Sequence, residues 1–274
     1  MLLTAPAKLN LCLFLGPARE DGLHEIRSLF EPISLADEIE VTHAERDTVE
    51  CPGIEGDDLT GAALAALREK GWAAPPLRVR VEKRIPIAAG LGGGSADAAA
   101  VLRLAEGEVD GLARLARGLG ADVLSQLRPA FALVSGSGEI VEPLPLPAEH
   151  AFVLLPEPEG LSTGEVYTEA DRLGLARDPD ELEEIAVHLR ETASAGPSPL
   201  DYGELLVNDL QPAAISLRPE IEASLQALHE AGAARALISG SGPTSFGLFA
   251  GRDEAETAAE KLGERAIVCT PVAP

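Results

Sequence analysis

The chain is poor in aromatic residues, cysteine and lysine. Of its 274 residues only 3% are aromatic, three are cysteines, and the 22 basic side chains include just four lysines. Cys12, Cys51 and Cys269 lie far apart, and none belongs to a CxxC pair or to a Cys/His cluster. The pattern argues against a disulfide framework and a structural zinc site, and it predicts a protein of the reducing cytoplasm.

Long apolar runs are missing and positive charge is scarce. No stretch approaches the roughly 18 uninterrupted apolar residues of a spanning helix, and Met1 is followed by no basic flank or cleavage pattern, so we expect neither a membrane segment nor a signal peptide. The 22 basic and 45 acidic residues give a net charge of −23. Because a nucleic-acid surface needs a basic stripe, we expect no nucleic-acid partner. A small anionic substrate stays open, since a few local cations and backbone amides can hold it.

The remaining composition, 46% hydrophobic and 24% charged, is that of a globular protein. Residues alternating in polarity predict strands at 9–15, 26–35, 38–42, 77–84, 131–135, 140–141, 151–155, 235–238, 245–249 and 266–269. Helical patterns predict helices near 59–69, 96–105, 111–118, 163–172, 180–191, 219–231 and 253–262. These elements lack a regular βαβ rhythm and predict an α+β fold of two layered domains, 1–147 and 148–274, with the boundary at the proline-rich segment 143–147.

The segment 86–100, PIAAGLGGGSADAAA, carries the clearest chemistry. It follows a predicted strand and opens a predicted alanine-rich helix, and its four glycines let the backbone approach a ligand closely. A glycine-rich turn at a helix N-terminus presents unpaired amides to an anion. No Lys-Ser/Thr pair follows the glycines, so this is not a Walker A loop, and the spacing fails the dinucleotide fingerprint. A tight turn without a ligand is the alternative, although three consecutive glycines would be an expensive way to build one.

This segment resembles the phosphate-binding motif of the galactokinase, homoserine kinase, mevalonate kinase and phosphomevalonate kinase (GHMP) superfamily. Residues 5–13, APAKLNLCL, resemble its first motif and residues 237–244, LISGSGPT, resemble its third. The three motifs occur in the expected order over nearly the whole chain. The resemblance implies an N-terminal domain like ribosomal protein S5 domain 2, a C-terminal ferredoxin-like domain and an active site in the cleft between them.

Narrower features resemble one branch of the superfamily, the 4-diphosphocytidyl-2-C-methyl-D-erythritol kinases. They are the PAKLN and DGLH segments at 6–10 and 21–24, SLF at 28–30, GADV at 120–123 and NDL at 208–210. In that branch ATP phosphorylates the 2-hydroxyl of the cytidine-diphosphate-linked methylerythritol, a step of non-mevalonate isoprenoid biosynthesis. The implied partners are therefore ATP and this small molecule, with Mg²⁺ arriving on the ATP phosphates mostly through water. Neither a dedicated metal site nor a tightly bound cofactor is expected.

The resemblance also implies roles for individual residues. Asp122 matches the catalytic aspartate that accepts the hydroxyl proton, and Lys8 matches the lysine that stabilises the developing alkoxide. The plain alternatives are a helix-capping carboxylate for Asp122 and a solvated cation for Lys8. The expected ATP-binding residues are Pro86, Ile87, Ala88, Ala89, Gly90, Leu91, Gly92, Gly93, Gly94, Ser95 and Ala96. The expected substrate-binding residues are Asn10, His24, Tyr167, Gly240, Ser241 and Gly242.

Three positions depart from the branch pattern. Leu23 stands where a tyrosine would stack on cytosine, which leaves His24 to read the base edge and Tyr167 as the candidate aromatic face. Ala96 stands where a second serine is common, and Asp58 where an asparagine is common near the adenine pocket. We expect these changes to affect ligand affinity rather than proton transfer.

Two other functions stay open from the sequence. A sister kinase acting on mevalonate or homoserine is disfavoured by the DGLH and GADV segments, and dependence on cytidine would decide. A nucleotide-binding protein without catalysis is disfavoured because a pure binder needs neither Lys8 nor Asp122. RNA binding by analogy with S5-like folds is weaker still, since fold does not imply function and the chain is strongly acidic.

Overall fold

The computed structural model describes residues 1–54 and 58–272. The strands in this part of the chain are β1 (Leu2–Ala18), β2 (His24–His43), β3 (Thr48–Glu50), β4 (Leu77–Glu82), β5 (Ala132–Gly136), β6 (Ile140–Pro143), β7 (Ala151–Leu155), β8 (Arg235–Ile238), β9 (Ser245–Phe249) and β10 (Ile267–Cys269). The helices are α1 (Leu59–Glu69), α2 (Gly93–Arg103), α3 (Leu112–Leu119), α4 (Val123–Leu127), α5 (Thr163–Leu173), α6 (Pro179–Ser194), α7 (Gln211–Leu217), α8 (Glu220–Ala231) and α9 (Arg252–Leu262), with 3₁₀ turns at Pro199–Asp201 and Gly203–Leu205. The α+β prediction is confirmed.

The chain packs as two compact units that interleave along the sequence. Unit 1 comprises Met1–Ala7, Leu35–Ile87 and Gly92–Pro129, and unit 2 comprises Lys8–Ser34, Ala88–Leu91 and Ala130–Pro274. Strands β1 and β2 each contribute residues to both units. These units reflect packing alone, so a domain boundary near residue 147 stays a prediction.

Unit 1 is built from β3, β4 and the second half of β2, together with α1–α4. Strand β4 pairs antiparallel with β2 and parallel with β3. The predicted alternation along β4 is confirmed, because Leu77, Val79 and Val81 are buried while the residues between them are exposed. On α2, Ala96 and Ala98–Ala100 are fully buried, and their small side chains allow other elements to pack closely against this helix.

Unit 2 contains an antiparallel sheet of four strands in the order β10-β7-β9-β8. Strands β7 and β9 are buried along their whole length, which suits central strands of a covered sheet. The first half of β2 pairs antiparallel with β5, which pairs in turn with β6 as a hairpin. The segment after β10 also belongs here, since the Ser34 amide donates to the Thr270 carbonyl and the Val272 amide donates to Pro32.

The sequence predicted two strands where the structure has the single strand β2, and this prediction was wrong. Residues 36–37 fell between the two predicted strands, but Asp37 is fully buried and its Oδ1 accepts hydrogen bonds from the backbone amides of Arg84 and Ile85. Tertiary partners thus satisfy a polar residue inside the strand. The short elements β3, α4 and α7 were missed, because three to seven residues carry too little periodicity to be recognised.

Within the described ranges, no helix is long and apolar enough to cross a bilayer.

Two glycines give opposite expectations for the same substitution. A Cβ at Gly247 in β9 would lie 2.8 Å from the Cβ of Ala233 and 3.1 Å from Leu228 Cδ2, whereas a Cβ at Gly118 in α3 would meet nothing within 4 Å. We expect Gly247→Ala to lower the free energy of unfolding by about 1–3 kcal/mol through overpacking. Gly118→Ala should raise it by about 0.5–1 kcal/mol because alanine favours the helix. Urea unfolding of both variants is the measurement, and equal effects would contradict this packing of β9.

Candidate active site

Lys8 and Asn10 lie two residues apart on β1, so both side chains point to the same face of the strand. Both are buried, with Lys8 only 6% exposed. The Lys8 ammonium donates to Asn10 Oδ1 at 2.5 Å and to the Gly90 carbonyl at 3.4 Å, and it lies 4.7 Å from the centre of the Phe30 ring. The Lys8 amide also donates to the Leu91 carbonyl at 3.0 Å. Both the backbone and the ammonium group of Lys8 are therefore held by hydrogen bonds. Lys8 is not a solvated surface cation.

Asn10 is the centre of a buried hydrogen-bond network in unit 2. Its Nδ2 donates to Ser28 Oγ at 2.8 Å, and its backbone amide donates to Ser239 Oγ at 3.2 Å. Ser239 Oγ in turn donates to the Gly90 carbonyl at 3.0 Å. Because each polar group has a partner, the network holds the amide oxygen of Asn10 in one orientation toward Lys8.

The glycine turn at 240–242 packs directly on Gly90. A Cβ at Gly90 would lie 2.3 Å from the Ser239 carbonyl oxygen and 2.8 Å from that of Gly242, so only glycine fits there. Gly240 is in the left-handed region with φ of +57°, and a Cβ on it would lie 3.1 Å from Asn10 Oδ1. Asn208 anchors the turn by donating through Nδ2 to the Ile238 and Gly240 carbonyls at 2.9 and 2.8 Å. The turn is thus part of the lysine's environment rather than an isolated hairpin.

His24 and Tyr167 form a second cluster in unit 2. The two rings are tilted by 43° with centroids 5.0 Å apart, and His24 Nε2 lies 2.8 Å from Asp171 Oδ1. Tyr167 and Asp171 are separated by one turn of α5, whose N-cap is Ser162. Leu23, next to this cluster in sequence, is 50% exposed.

The predicted phosphate segment supplies the start of α2 in unit 1. Gly92 is the N-cap, with φ of +71°, and the helix begins at Gly93. A Cβ at Gly93 would point inward, 3.0 Å from Ile85 Cγ2 and 3.3 Å from the Lys83 ammonium, so a side chain there would crowd both residues. Ala96 is buried and its amide donates to the Gly92 carbonyl, which gives it a packing role. Gly92–Ser95 are only half-buried, and binding of phosphate at this turn stays a prediction.

Beneath this turn, Lys83 is shared by two fully buried carboxylates. Its ammonium donates to Asp37 Oδ2 at 2.5 Å and to Asp97 Oδ2 at 2.8 Å. Asp37 also accepts two backbone amides, whereas Asp97 Oδ1 has no hydrogen-bond partner among the described residues. Burial raises the pKa of Asp97 to about 7 despite the opposing effect of Lys83. Burial by itself lowers the pKa of Lys83, but Asp97 and Asp37 outweigh it and raise that pKa.

Asp122 occupies the N-cap position of α4 in unit 1 and is half-buried. Its carbonyl accepts from Ser125 Oγ at 2.8 Å and from the Gln126 amide at 3.2 Å. The carboxylate makes no capping hydrogen bond to α4, every residue of which is described. The helix is therefore held by the Asp122 backbone, and the capping interpretation of its side chain is wrong.

Family models match both halves of the sequence. The model described as "GHMP kinases N terminal domain" matches residues 58–126, and the one described as "GHMP kinases C terminal" matches residues 200–268. A curated protein of Anaeromyxobacter sp. (strain Fw109-5), named 4-diphosphocytidyl-2-C-methyl-D-erythritol kinase, is 38% identical over 96% of this chain and 87% of its own length. The chain belongs to this family of GHMP kinases.

Solved structures agree with this membership. A crystal structure titled 4-(cytidine 5'-diphospho)-2C-methyl-D-erythritol kinase matches with a TM-score of 0.81 and 36% identity, and the match covers 100% of both chains. A homoserine kinase from Cytophaga hutchinsonii matches with a TM-score of 0.70 at 17% identity, covering 100% of this chain and 94% of its own, and this likeness shows the fold alone. The resemblance deduced from the three motifs is confirmed, together with the two-domain GHMP kinase fold. The chain is accordingly a phosphotransferase with an alcohol acceptor.

The family's motifs fall into the two units. Unit 2 brings together Lys8, Asn10, Gly90, Leu91 and the turn 240–242, and separately His24 and Tyr167. Ala88 and Ala89 also belong to unit 2, while Pro86, Ile87, Gly92–Ala96 and Asp122 belong to unit 1. The functions assigned to these residues stay predictions.

Sequence reasoning missed several residues that hold the site. Asp171 stands in no motif that the sequence analysis used, Ser239 lies in the third motif but was given no role, and Asn208 was used only as a family marker. Lys83 was overlooked, although it is one of only four lysines in the chain and lies three residues before the start of the glycine segment. That scarcity was the signal that could have revealed it. Among the described residues, no group of three or more His, Cys, Asp or Glu side chains is arranged to hold a metal ion.

The Lys83 cluster predicts a pH-dependent stability. An aspartate with an unfolded pKa near 4 and a folded pKa of about 7 binds more protons in the folded state between those values. The free energy of unfolding should therefore fall as pH rises through this window, and Asp97→Asn should flatten that fall. Lys83 acts only at higher pH, since its folded pKa is raised above an already alkaline value. Urea unfolding from pH 4 to 8 is the measurement.

The exposed Asp110 provides the control. Asp110→Asn should keep the wild-type slope of stability against pH. An identical slope in wild type and Asp97→Asn would contradict the proton's placement on Asp97.

Proposed function

We propose that the protein transfers the γ-phosphoryl group of ATP to the 2-hydroxyl of 4-diphosphocytidyl-2-C-methyl-D-erythritol in non-mevalonate isoprenoid biosynthesis, in the cytoplasm. We infer the substrate from the names of the relatives, which are similar to this protein over nearly the whole chain. The observation that carries the proposal is the buried Lys8 ammonium, fixed by Asn10 Oδ1 and the Gly90 carbonyl. A protein that only bound nucleotides would not need a buried cation held this rigidly.

Lys8 acts as the electrostatic partner of the reaction. As the substrate hydroxyl loses its proton, negative charge develops on the attacking oxygen, and a fixed ammonium stabilises that charge without reorganising. Burial strengthens the effect, because water does not screen the charge there. Asn10 and Gly90 position the ammonium, so their contribution is geometric.

Asp122 accepts the hydroxyl proton as the general base. Proton removal by a positioned carboxylate makes the alcohol a better nucleophile toward the γ-phosphorus. The side chain is half-buried at the N-terminus of α4 and makes no capping hydrogen bond to that helix.

The N-terminal turn of α2 holds the ATP phosphates. The backbone amides of Gly92–Ser95 precede the first intrahelical bonds, and the Ser95 hydroxyl can add a donor. Mg²⁺ enters as part of the MgATP substrate, coordinated by phosphate oxygens and water.

The cluster of His24 and Tyr167 recognises the cytosine of the substrate. Tyr167 offers an aromatic face and His24 offers ring nitrogens for the base edge, while the exposed Leu23 adds apolar contact. Stacking on one aromatic face rather than two is the consequence of leucine at position 23.

The catalytic pair is tested by Lys8→Ala and Asp122→Asn. Each should lower kcat by on the order of 10²–10⁴-fold with little change in ATP affinity. The double variant should be little worse than the worse single one, because the two groups act in one step. The measurement is a coupled ADP-release assay with the cytidine-linked substrate, and mevalonate and homoserine serve as control substrates. Near wild-type kcat in Asp122→Asn would exclude that residue as the base.

Cytosine stacking is tested by Tyr167→Ala. Loss of the aromatic face should weaken binding of the cytidine-linked substrate by about 1–3 kcal/mol, seen as a higher KM. The KM for ATP is the internal control and should not change. An unaltered KM for the cytidine-linked substrate would mean that Tyr167 only packs against His24.

A further inference from the structure

His24 is held by a carboxylate that the family motifs do not include. The imidazole lies at the start of β2 with its side chain only 6% exposed, and its Nε2 is 2.8 Å from Asp171 Oδ1. Asp171 lies one helical turn beyond Tyr167 on α5, so the helix presents the aromatic ring and the carboxylate to the same histidine. Two independent contacts thus fix both the position and the tilt of the ring.

The next cation along α5 does not compete for this carboxylate. Arg172 forms a two-pronged ion pair with Glu169, with both N···O distances at 2.7 Å. Asp171 is therefore left to His24, although its own side chain is 52% exposed on the outer side. An exposed acid with such a specific buried partner is placed to orient that partner rather than to add stability, because solvent screens its charge.

The contact decides which ring nitrogen carries the proton. An ionised carboxylate only accepts hydrogen bonds, so Nε2 must be the protonated nitrogen. In a neutral imidazole Nδ1 then carries the lone pair and can only accept. Within residues 1–54 and 58–272, the hydrogen bonds of the His24 ring include none to Nδ1. Nδ1 of His24 is therefore a hydrogen-bond acceptor, and its direction is fixed by the contact of Nε2 with Asp171.

We propose that Asp171 is a positioning residue that fixes His24 as the Nε2–H tautomer, so that Nδ1 accepts a hydrogen bond from a base with an exocyclic amine. Cytosine has such an amine at C4, whereas uracil carries a carbonyl oxygen there, which is itself an acceptor. Two acceptors facing each other cannot pair, so the site selects cytidine over uridine. The inference rests on the proposed function for the identity of the base. The tautomer itself is argued only from His24 and Asp171.

The tautomer is measured directly by two-dimensional ¹⁵N–¹H NMR of protein labelled with ¹⁵N-histidine, at about pH 8 where ordinary imidazoles are neutral. The His24→Gln variant assigns the His24 signals. The wild type should show a protonated Nε2 and an unprotonated Nδ1. Asp171→Ala should shift the His24 signals toward a mixture of tautomers. Asp171→Asn keeps an acceptor oxygen and should restore most of the wild-type spectrum.

Selectivity is measured by calorimetric binding of cytidine 5′-diphosphate and uridine 5′-diphosphate to the same variants. Asp171→Ala should lower the cytidine-to-uridine affinity ratio by about tenfold, the effect of one neutral hydrogen bond. Asp180, exposed at the start of α6, provides the matched control, and Asp180→Ala should change neither the spectrum nor the ratio. A purely structural role for Asp171 would weaken both ligands equally.

The outcomes separate this inference from the proposed function. A wild-type His24 protonated on Nδ1, a spectrum that Asp171→Ala leaves unchanged, or an unaltered affinity ratio would each overturn the role of Asp171. If both readouts respond as expected while the cytidine-linked substrate is not phosphorylated, the positioning role stands and the proposed reaction fails.

Discussion

One backbone carbonyl, that of Gly90, is the point on which the polar interior of unit 2 depends. It accepts from the Lys8 ammonium and from the Ser239 hydroxyl, and it can do so only because residue 90 has no side chain to collide with the turn at 239–242. Ser239 is also hydrogen-bonded to the Asn10 amide, and the Asn10 side chain is hydrogen-bonded to Ser28. Glycine at position 90 therefore allows the loop to pack against the turn at 239–242, and it also positions the Lys8 ammonium.

The start of α2 depends on a different arrangement of buried charge. There the cation Lys83 lies between two carboxylates with unequal surroundings, Asp37 with two additional backbone donors and Asp97 with one oxygen unpaired among the described residues. Gly93 closes the space above this cluster. The glycine segment thus contributes to packing at two separate points, Gly90 in unit 2 and Gly93 in unit 1.

The sequence allowed the family, the fold class and most element positions to be predicted, because three motifs and strong periodicities each act over a short stretch of chain. Tertiary contacts could not be predicted from the sequence. The break predicted between residues 35 and 38 is absent because Asp37 finds its partners, the amides of Arg84 and Ile85, more than forty positions away. Asp171 gave no signal, since its relation to His24 exists only once α5 and β2 have come together. The direction of a glycine's missing side chain, as at Gly93, is likewise a property of the folded backbone.

The pairing of residues 270–272 with residues 32–34 has a consequence during synthesis on the ribosome. The bridge between Ile33 and Pro271 and the hydrogen bonds around it join segments separated by more than 230 positions. Unit 1 uses no residue beyond Pro129, so its parts are all available while the second half is still being translated. Unit 2 must wait for β10 and the residues after it, and its earliest strand segments remain without these partners until then. Leu13 and Leu15 of β1 belong to the same buried cluster as Val153 and Leu228, so these apolar side chains stay without that packing for much of translation, when exposed apolar surface makes a nascent chain prone to aggregation.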